Sequence, residues 1–240
     1  MIVFWHLLLA HLLADFTFHT DYIYQKKISN PFKGLTVHGL VYLVCLLVCC
    51  LPYLEIKWFT IAGVSFNGVE SIFLLTLIHI FSDFIDTSDN HDVIGINALM
   101  FVCWQVIEIS VLFIVAPFML TPGKTTLAFW ILKFIIILSG LIISSHLLMV
   151  LIHLFIKDFI HKSYPTFDER YVYMIYRAGL YMALILPSNL AFVIALIWII
   201  CLYIIFRIKE VTFMSGKNIA GTILTLLIAI GVRWLIYHVY

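Results

Sequence analysis

Residues 127–156 read LAFWILKFIIILSGLIISSHLLMVLIHLFI, thirty positions with one full charge, Lys133. A helix at the surface of a soluble domain keeps a charged face; this one has none. About 20 apolar residues suffice to cross a hydrocarbon layer of ~30 Å. The run is longer than that, so it should tilt or project beyond the bilayer.

Seven more apolar segments flank it, giving eight at about 2–21, 35–54, 69–86, 95–117, 127–156, 170–187, 189–206 and 218–238. They are separated by turn chemistry at Asn30-Pro31, Thr87-Ser88-Asp89-Asn90, Thr121-Pro122-Gly123, Tyr164-Pro165, Pro187-Ser188-Asn189 and Ser215-Gly216. Residues 55–68 are short, mixed and β-branched, and fit a small non-helical extracytoplasmic loop or hairpin better than a span. The whole chain agrees: 64% of its 240 residues are apolar and 11% charged, against roughly 25% charged in a soluble domain. That balance excludes a soluble enzyme, a disordered chain, a collagen-like fibre and a disulfide-stapled secreted domain. The expected fold is all-α, a polytopic bundle of about eight transmembrane helices forming a single domain over 1–240.

Fourteen Lys plus Arg face 13 Asp plus Glu, so no basic excess points to nucleic acid. Cys45, Cys49, Cys50, Cys103 and Cys201 lie in apolar runs without CxxC spacing and read as small buried hydrophobes. Ile2 to Ala14 lacks both a basic region before it and a small-residue cleavage site after it, and it carries His6 and His11; it reads as a retained first span.

Basic residues orient the bundle. Loops one, five and seven carry Lys26, Lys27, Lys33, Lys157, Lys162, Arg170, Arg207, Lys209 and Lys217, whereas the opposite side has Lys57 and Lys124. By the positive-inside rule the odd loops are cytoplasmic and both termini lie outside.

Ionisable groups within the spans are the informative ones, since each costs at least ~2.5–3.5 kcal/mol at the bilayer centre. His11 and Asp15 lie four residues apart on the first span, and His79 and Asp83 repeat that spacing on the third. Such pairs share one helix face. His38 belongs to the second span, and Gln105 with Glu108 to the fourth. The topology brings Asp15, His38 and Asp83 together in the cytoplasmic half of the membrane, with Glu108 deeper as a floor. Imidazoles mixed with carboxylates suit Zn²⁺, Mn²⁺ or Fe²⁺, so His11, Asp15, His38, His79 and Asp83 are candidate metal ligands, and Asp83 and Glu108 candidate catalytic carboxylates. The plainer reading is that each pair is hydrogen-bonding glue between helices.

A second stripe runs along the fifth span through Ser139, His146, His153 and Lys157. It could complete the first site, line a substrate path or pack against polar groups of the last three spans. His161 and His91 read as solvated, and His19 with Asp21 as interfacial. Arg170 and Arg177 are placed to contact lipid phosphates, the alternative being a salt bridge to Asp158 or Asp168. Gly123-Lys124-Thr125-Thr126 ends like a phosphate-binding loop, but Phe118 stands where its first glycine belongs.

His11-Leu-Leu-Ala-Asp15-Phe16, followed by Thr20-Asp21 and Lys26, resembles the opening signature of a bacterial membrane-protein family known as domain of unknown function 3307. His79-Ile-Phe-Ser-Asp83 resembles the family's second His-x-x-x-Asp element, and His38 a histidine after its first loop. The family usually has Gln at the position of His19, and often Asp-Gln-x-x-His where this chain has Trp104-Gln105-Val106-Ile107-Glu108. Glu169-Arg170, Arg207, Lys209-Glu210 and Gly221-Thr222 resemble longer members. The resemblance implies a multi-pass protein of the bacterial cytoplasmic membrane and no particular activity.

Three functions fit these residues. One is a metal-dependent hydrolase working on a lipid-linked or amphiphilic substrate. Another is a proton- or cation-coupled transporter; no internal repeat supports it. The third is a noncatalytic membrane partner or regulatory subunit, in a homo- or hetero-oligomer.

Overall fold

The computed structural model describes residues 1–88, 97–118, 126–160, 167–186, 190–208 and 216–238. Each of the eight apolar segments is helical there. Five described stretches are long and apolar enough to cross a membrane: Pro31–Cys49, Gly68–Ile85, Asn97–Val115, Ala128–Phe159 and Ile219–His238. Ile2–Thr17 and Tyr171–Ile185 are shorter apolar helices.

The chain forms two compact units. The first contains Met1–Val93 and Leu99–Ile135, and the second Ile94–Ala98 and Ile136–Tyr240. In the first, helix α1 (Ile2–Leu12) runs into a π-helical turn at Leu13–Thr17. Val3, Leu7, Ala10 and Ala14 of this segment are buried against Tyr42, Cys45 and Leu46, Ile72 and Leu75, and Leu112 and Val115. Nearly every residue of α1 is buried, as expected for a helix that is apolar all round and sits at the centre of a bundle.

Between the first two apolar segments lies a helix the hydropathy pattern does not mark, α2 (Asp21–Ser29). Local capping makes it. The Thr20 hydroxyl accepts from Ile23 N, and Asn30-Pro31 stops α2 and starts α3 (Pro31–Cys49), where Asn30 Oδ1 accepts from Lys33 N. α2 crosses α3 closely at Gly34, where a Cβ would run into the backbone of Lys26 and Lys27.

Residues 55–68 contain an antiparallel hairpin, β1 (Lys57–Ile61) with β2 (Val64–Asn67). Ala62 and Gly63 both have positive φ, the two-residue turn whose twist suits a hairpin. α4 (Gly68–Ser88) follows; Asn67 Oδ1 accepts from Glu70 N while Glu70 Oε2 accepts from Asn67 N, a reciprocal cap. α4 packs along α3, with Gly39 leaving room for the Ile80 side chain. α5 (Asn97–Val115) supplies Leu112 and Val115 to the core.

α6 (Thr126–Ile142), a second π-helical turn at Ile143–Leu147 and α7 (Leu148–Ile160) follow one another without a break. In the second unit α8 (Phe167–Ile185) packs against α9 (Leu190–Ile208) and α10 (Gly216–His238). Met149, Tyr173, Tyr176, Leu180, Ala183 and Ala195 form its main core. The buried Tyr181 hydroxyl donates to Ile137 O, and the Trp198 indole to Tyr176 O. Asp158 accepts from Asn97 Nδ2 and from Ala98 N, both at 2.7 Å.

Candidate metal centre

Five helices of the first unit converge on one polar cluster. α1 contributes His11, which has no exposed surface. Asp15 lies inside the π-helical turn. In a regular α-helix residues 11 and 15 would stack one above the other; the wider turn changes how Asp15 is presented. The two side chains stay in range, His11 Nδ1 to Asp15 Oδ2 being 3.6 Å, but that nitrogen makes no hydrogen bond. α3 contributes His38, and one turn later Tyr42, whose ring stacks on His79 with centroids 3.8 Å apart. α4 contributes His79, Ser82 and Asp83, and α5 Gln105 and Glu108. α2 contributes Lys27.

The closest convergence is a triangle. His38 Nε2 and His79 Nε2 are 3.1 Å apart and lie 3.4 and 3.3 Å from Asp15 Oδ1. Donor atoms held ~2.1 Å from one tetrahedral ion are ~3.4 Å apart, so these three could occupy three corners around one cation. Alignment favours the same view. Asp15 Oδ1 is buried and accepts no hydrogen bond, although two imidazole nitrogens approach it. Two imidazole nitrogens at ion-pair distance but out of hydrogen-bond alignment satisfy a buried carboxylate oxygen poorly, and a cation between the three would satisfy it better. Asp83 Oδ2 stands beside the triangle, 3.4 Å from His38 Nε2 and 3.9 Å from His79 Nε2.

The other nitrogen of His79 is held from behind. Its Nδ1 is 3.0 Å from Glu108 Oε1, which also accepts from Ser82 Oγ at 2.6 Å. A ring whose Nδ1–H goes to a carboxylate presents its Nε2 lone pair, the usual arrangement behind a metal-bound histidine. On the far side His11 Nε2 lies 3.2 Å from Gln105 Oε1 and 3.7 Å from Glu108 Oε2. Taken by proximity, the donors form two groups sharing His79: His11, Asp15, His79 and Glu108, and His38, His79 and Asp83.

Charge follows the same logic. Asp15, Asp83 and Glu108 are largely buried, and Lys27 Nζ is 2.7 Å from Asp83 Oδ2. A divalent ion held by neutral imidazoles would balance the charges of Asp15 and Glu108. Burying them unbalanced would be expensive. The donor set is nitrogen and oxygen without thiolate, which suits Zn²⁺, Mn²⁺ or Fe²⁺.

All five ligands expected from sequence, His11, Asp15, His38, His79 and Asp83, belong to this cluster, and so do Glu108 and Gln105. Lys27, Ser82 and Tyr42 join them without having been singled out. Their signals are faint: Tyr42 follows His38 by four residues, Ser82 follows His79 by three, and Lys27 reads as an ordinary loop charge. His19, read as interfacial, lies edge-on to His38 with centroids 5.0 Å apart.

His146, His153, Lys157 and Arg177 belong to the second unit. His146 is half-buried within the π-helical turn, His153 is half-buried and Lys157 exposed. Arg177 is buried, and its close partner is Met149 rather than Asp158. The Arg170 and Asp168 side chains, His91, His161 and the loop residues Gly123 to Thr125 lie outside the described residues.

No curated protein and no solved structure matches the chain. Residues 3–134, which include every side chain of the cluster, match the family described as Protein of unknown function (DUF3307), and the chain is a member of that family.

Proposed function

We propose that the chain is a membrane-embedded, metal-dependent hydrolase acting on a lipid-linked or amphiphilic substrate at the cytoplasmic leaflet. The observation that carries this reading is the triangle of Asp15 Oδ1, His38 Nε2 and His79 Nε2, buried donor atoms 3.1–3.4 Å apart, with neither nitrogen aligned on the carboxylate oxygen. Asp15, His38 and His79 would hold the ion, with His11 against the other oxygen of Asp15. A divalent ion so held supplies Lewis acidity and an activated water.

The protein groups divide the remaining work. Glu108 and Ser82 fix the His79 ring and its tautomer. Asp83, at the edge of the triangle and held by Lys27 Nζ at 2.7 Å, is the carboxylate placed to take a proton from the attacking water. In this reading all eight apolar helices span the bacterial cytoplasmic membrane, both termini lie outside, and the cluster lies on the cytoplasmic side, next to Lys27.

Elemental analysis of the full chain, purified in detergent without chelator, tests the proposal. It expects about one divalent ion per chain, lost in Asp15→Asn and His79→Ala. A protein that carries no ion and takes up none when offered Zn²⁺, Mn²⁺ or Fe²⁺ would sink it.

One observation favours a second reading, a proton- or cation-coupled carrier. Gln105, His11, Asp15, His79, Glu108 and Ser82 lie in one row of polar groups in the first unit, hydrogen-bonded at Gln105–His11 and at His79–Glu108–Ser82 and within 3.3–3.6 Å at Asp15. Such rows relay protons within membranes. Reconstitution in liposomes separates the two: the carrier moves cations or protons across the bilayer, and the hydrolase moves neither.

A further inference from the structure

We infer that the second unit holds an oxyanion site centred on Arg177, which takes a phosphate group carried by a lipid or free in solution. Arg177 is 5% exposed and sits within α8, an apolar helix. An always-charged guanidinium in such surroundings needs an anion or a wet cavity. Among the described residues no carboxylate approaches it. Its protein acceptor is the Met149 thioether sulfur, 3.2 Å from Nη2, a weak acceptor for a cation. Nε is buried and has no hydrogen-bond partner. The side edge of the guanidinium, Nε with Nη2, is the fork that binds two oxygens of one anion.

The surroundings make room for that cation without neutralising it. At Gly221 on α10 a Cβ would stand 2.9 Å from Arg177 Nη1 and 3.0 Å from Ile152 Cδ1, so a larger residue would crowd the guanidinium. The Gly221 carbonyl is already used by Thr225 Oγ1 at 2.8 Å. His146, Tyr173 and Tyr176 lie within electrostatic range of Arg177. The fork takes two oxygens of one phosphate, the group that arginine binds bidentately. The inference does not rest on the metal reading, whose residues all belong to the other unit.

The test uses the full chain in detergent with two probes, phosphatidylglycerol and inorganic phosphate. Lipid binding is followed by native mass spectrometry against diacylglycerol, which has the same tails and no phosphate. Phosphate binding is followed by the rise in melting temperature. Arg177→Lys keeps the charge and loses the fork; Arg177→Met removes both. The wild type should bind at least one probe about tenfold more tightly than Arg177→Lys, and Arg177→Met should bind it more weakly still. Binding of phosphate alone assigns the site to the free ion, and binding of phosphatidylglycerol but not diacylglycerol or phosphate assigns it to a headgroup. Wild-type protein that binds neither probe would overturn the inference, as would affinities within twofold of wild type in the lysine variant. Should Arg177→Met fail to fold, the wild type and Arg177→Lys carry the comparison.

Discussion

Lys27 Nζ lies 2.7 Å from Asp83 Oδ2, and the same oxygen is 3.4 Å from His38 Nε2. The positive charge of Lys27 therefore stands beside the place proposed for the ion. Replacing Lys27 by Met removes a positive charge beside the cluster and frees Asp83. Metal affinity should rise, by about tenfold for a partly screened charge at this range. Competition against a chelator of known affinity measures it. A fall in affinity would mean that Lys27 serves to hold the cluster together and would make Asp83 a ligand rather than a base.

Glu108 contacts His79 through the ring nitrogen that faces away from the triangle. It should therefore act on the metal indirectly. Glu108→Gln keeps the shape and an acceptor oxygen but removes the charge, and metal affinity should drop by about 10–100-fold. The same chelator competition applies. Loss as complete as that of His79→Ala would make Glu108 a direct ligand and move the centre toward His11.

Most of the cluster was legible in the sequence, for a physical reason. Charged and imidazole groups inside apolar runs are too costly to be incidental, so His11, Asp15, His79 and Asp83 stand out without any coordinates. Helical spacing could not show what Asp15 does, because the π-helical turn at Leu13–Thr17 leaves it facing His38 and His79 as much as His11. Lys27 was hidden by a different ambiguity. A lysine between two apolar segments is read as a topological signal, and nothing in hydropathy marks α2. Its capping residues Thr20 and Asn30 are visible in the sequence, but that α2 folds back onto Gly34 is a matter of tertiary packing. The apolar helices were plain throughout, since composition alone demands them.

That packing makes its own prediction. At Gly34 an added Cβ meets the backbone of Lys26 and Lys27, which cannot turn aside; at Gly39 it meets the end of the Ile80 side chain, which can. Gly34→Ala should therefore destabilise by about 1–3 kcal/mol and Gly39→Ala by less. Thermal unfolding in detergent compares them. Gly34→Ala should also loosen Lys27 from Asp83 and raise metal affinity in the same direction as Lys27→Met. A silent Gly34→Ala would show that α2 is not held against α3 in solution.

Asp15 and His38 come from separate helices and lie 3.4 Å apart, which allows a test that separates a metal centre from hydrogen-bonding glue. The double-mutant cycle of Asp15→Asn with His38→Ala is run twice, once with metal at 100 times its dissociation constant and once with excess chelator. Bound metal at that concentration stabilises the fold by about 2.7 kcal/mol. If both residues are ligands, either single change forfeits nearly all of that, and the double change forfeits no more than one. The two residues should then show a coupling of about 2.7 kcal/mol with metal. With chelator only their direct contact remains, and hydrogen bonds between membrane helices average ~0.6 kcal/mol. Glue alone gives the small value in both runs, because nothing in that arrangement responds to the ion. Equal coupling with and without metal would therefore reject the metal centre even if the purified protein contained some metal, since the ion would have to sit elsewhere.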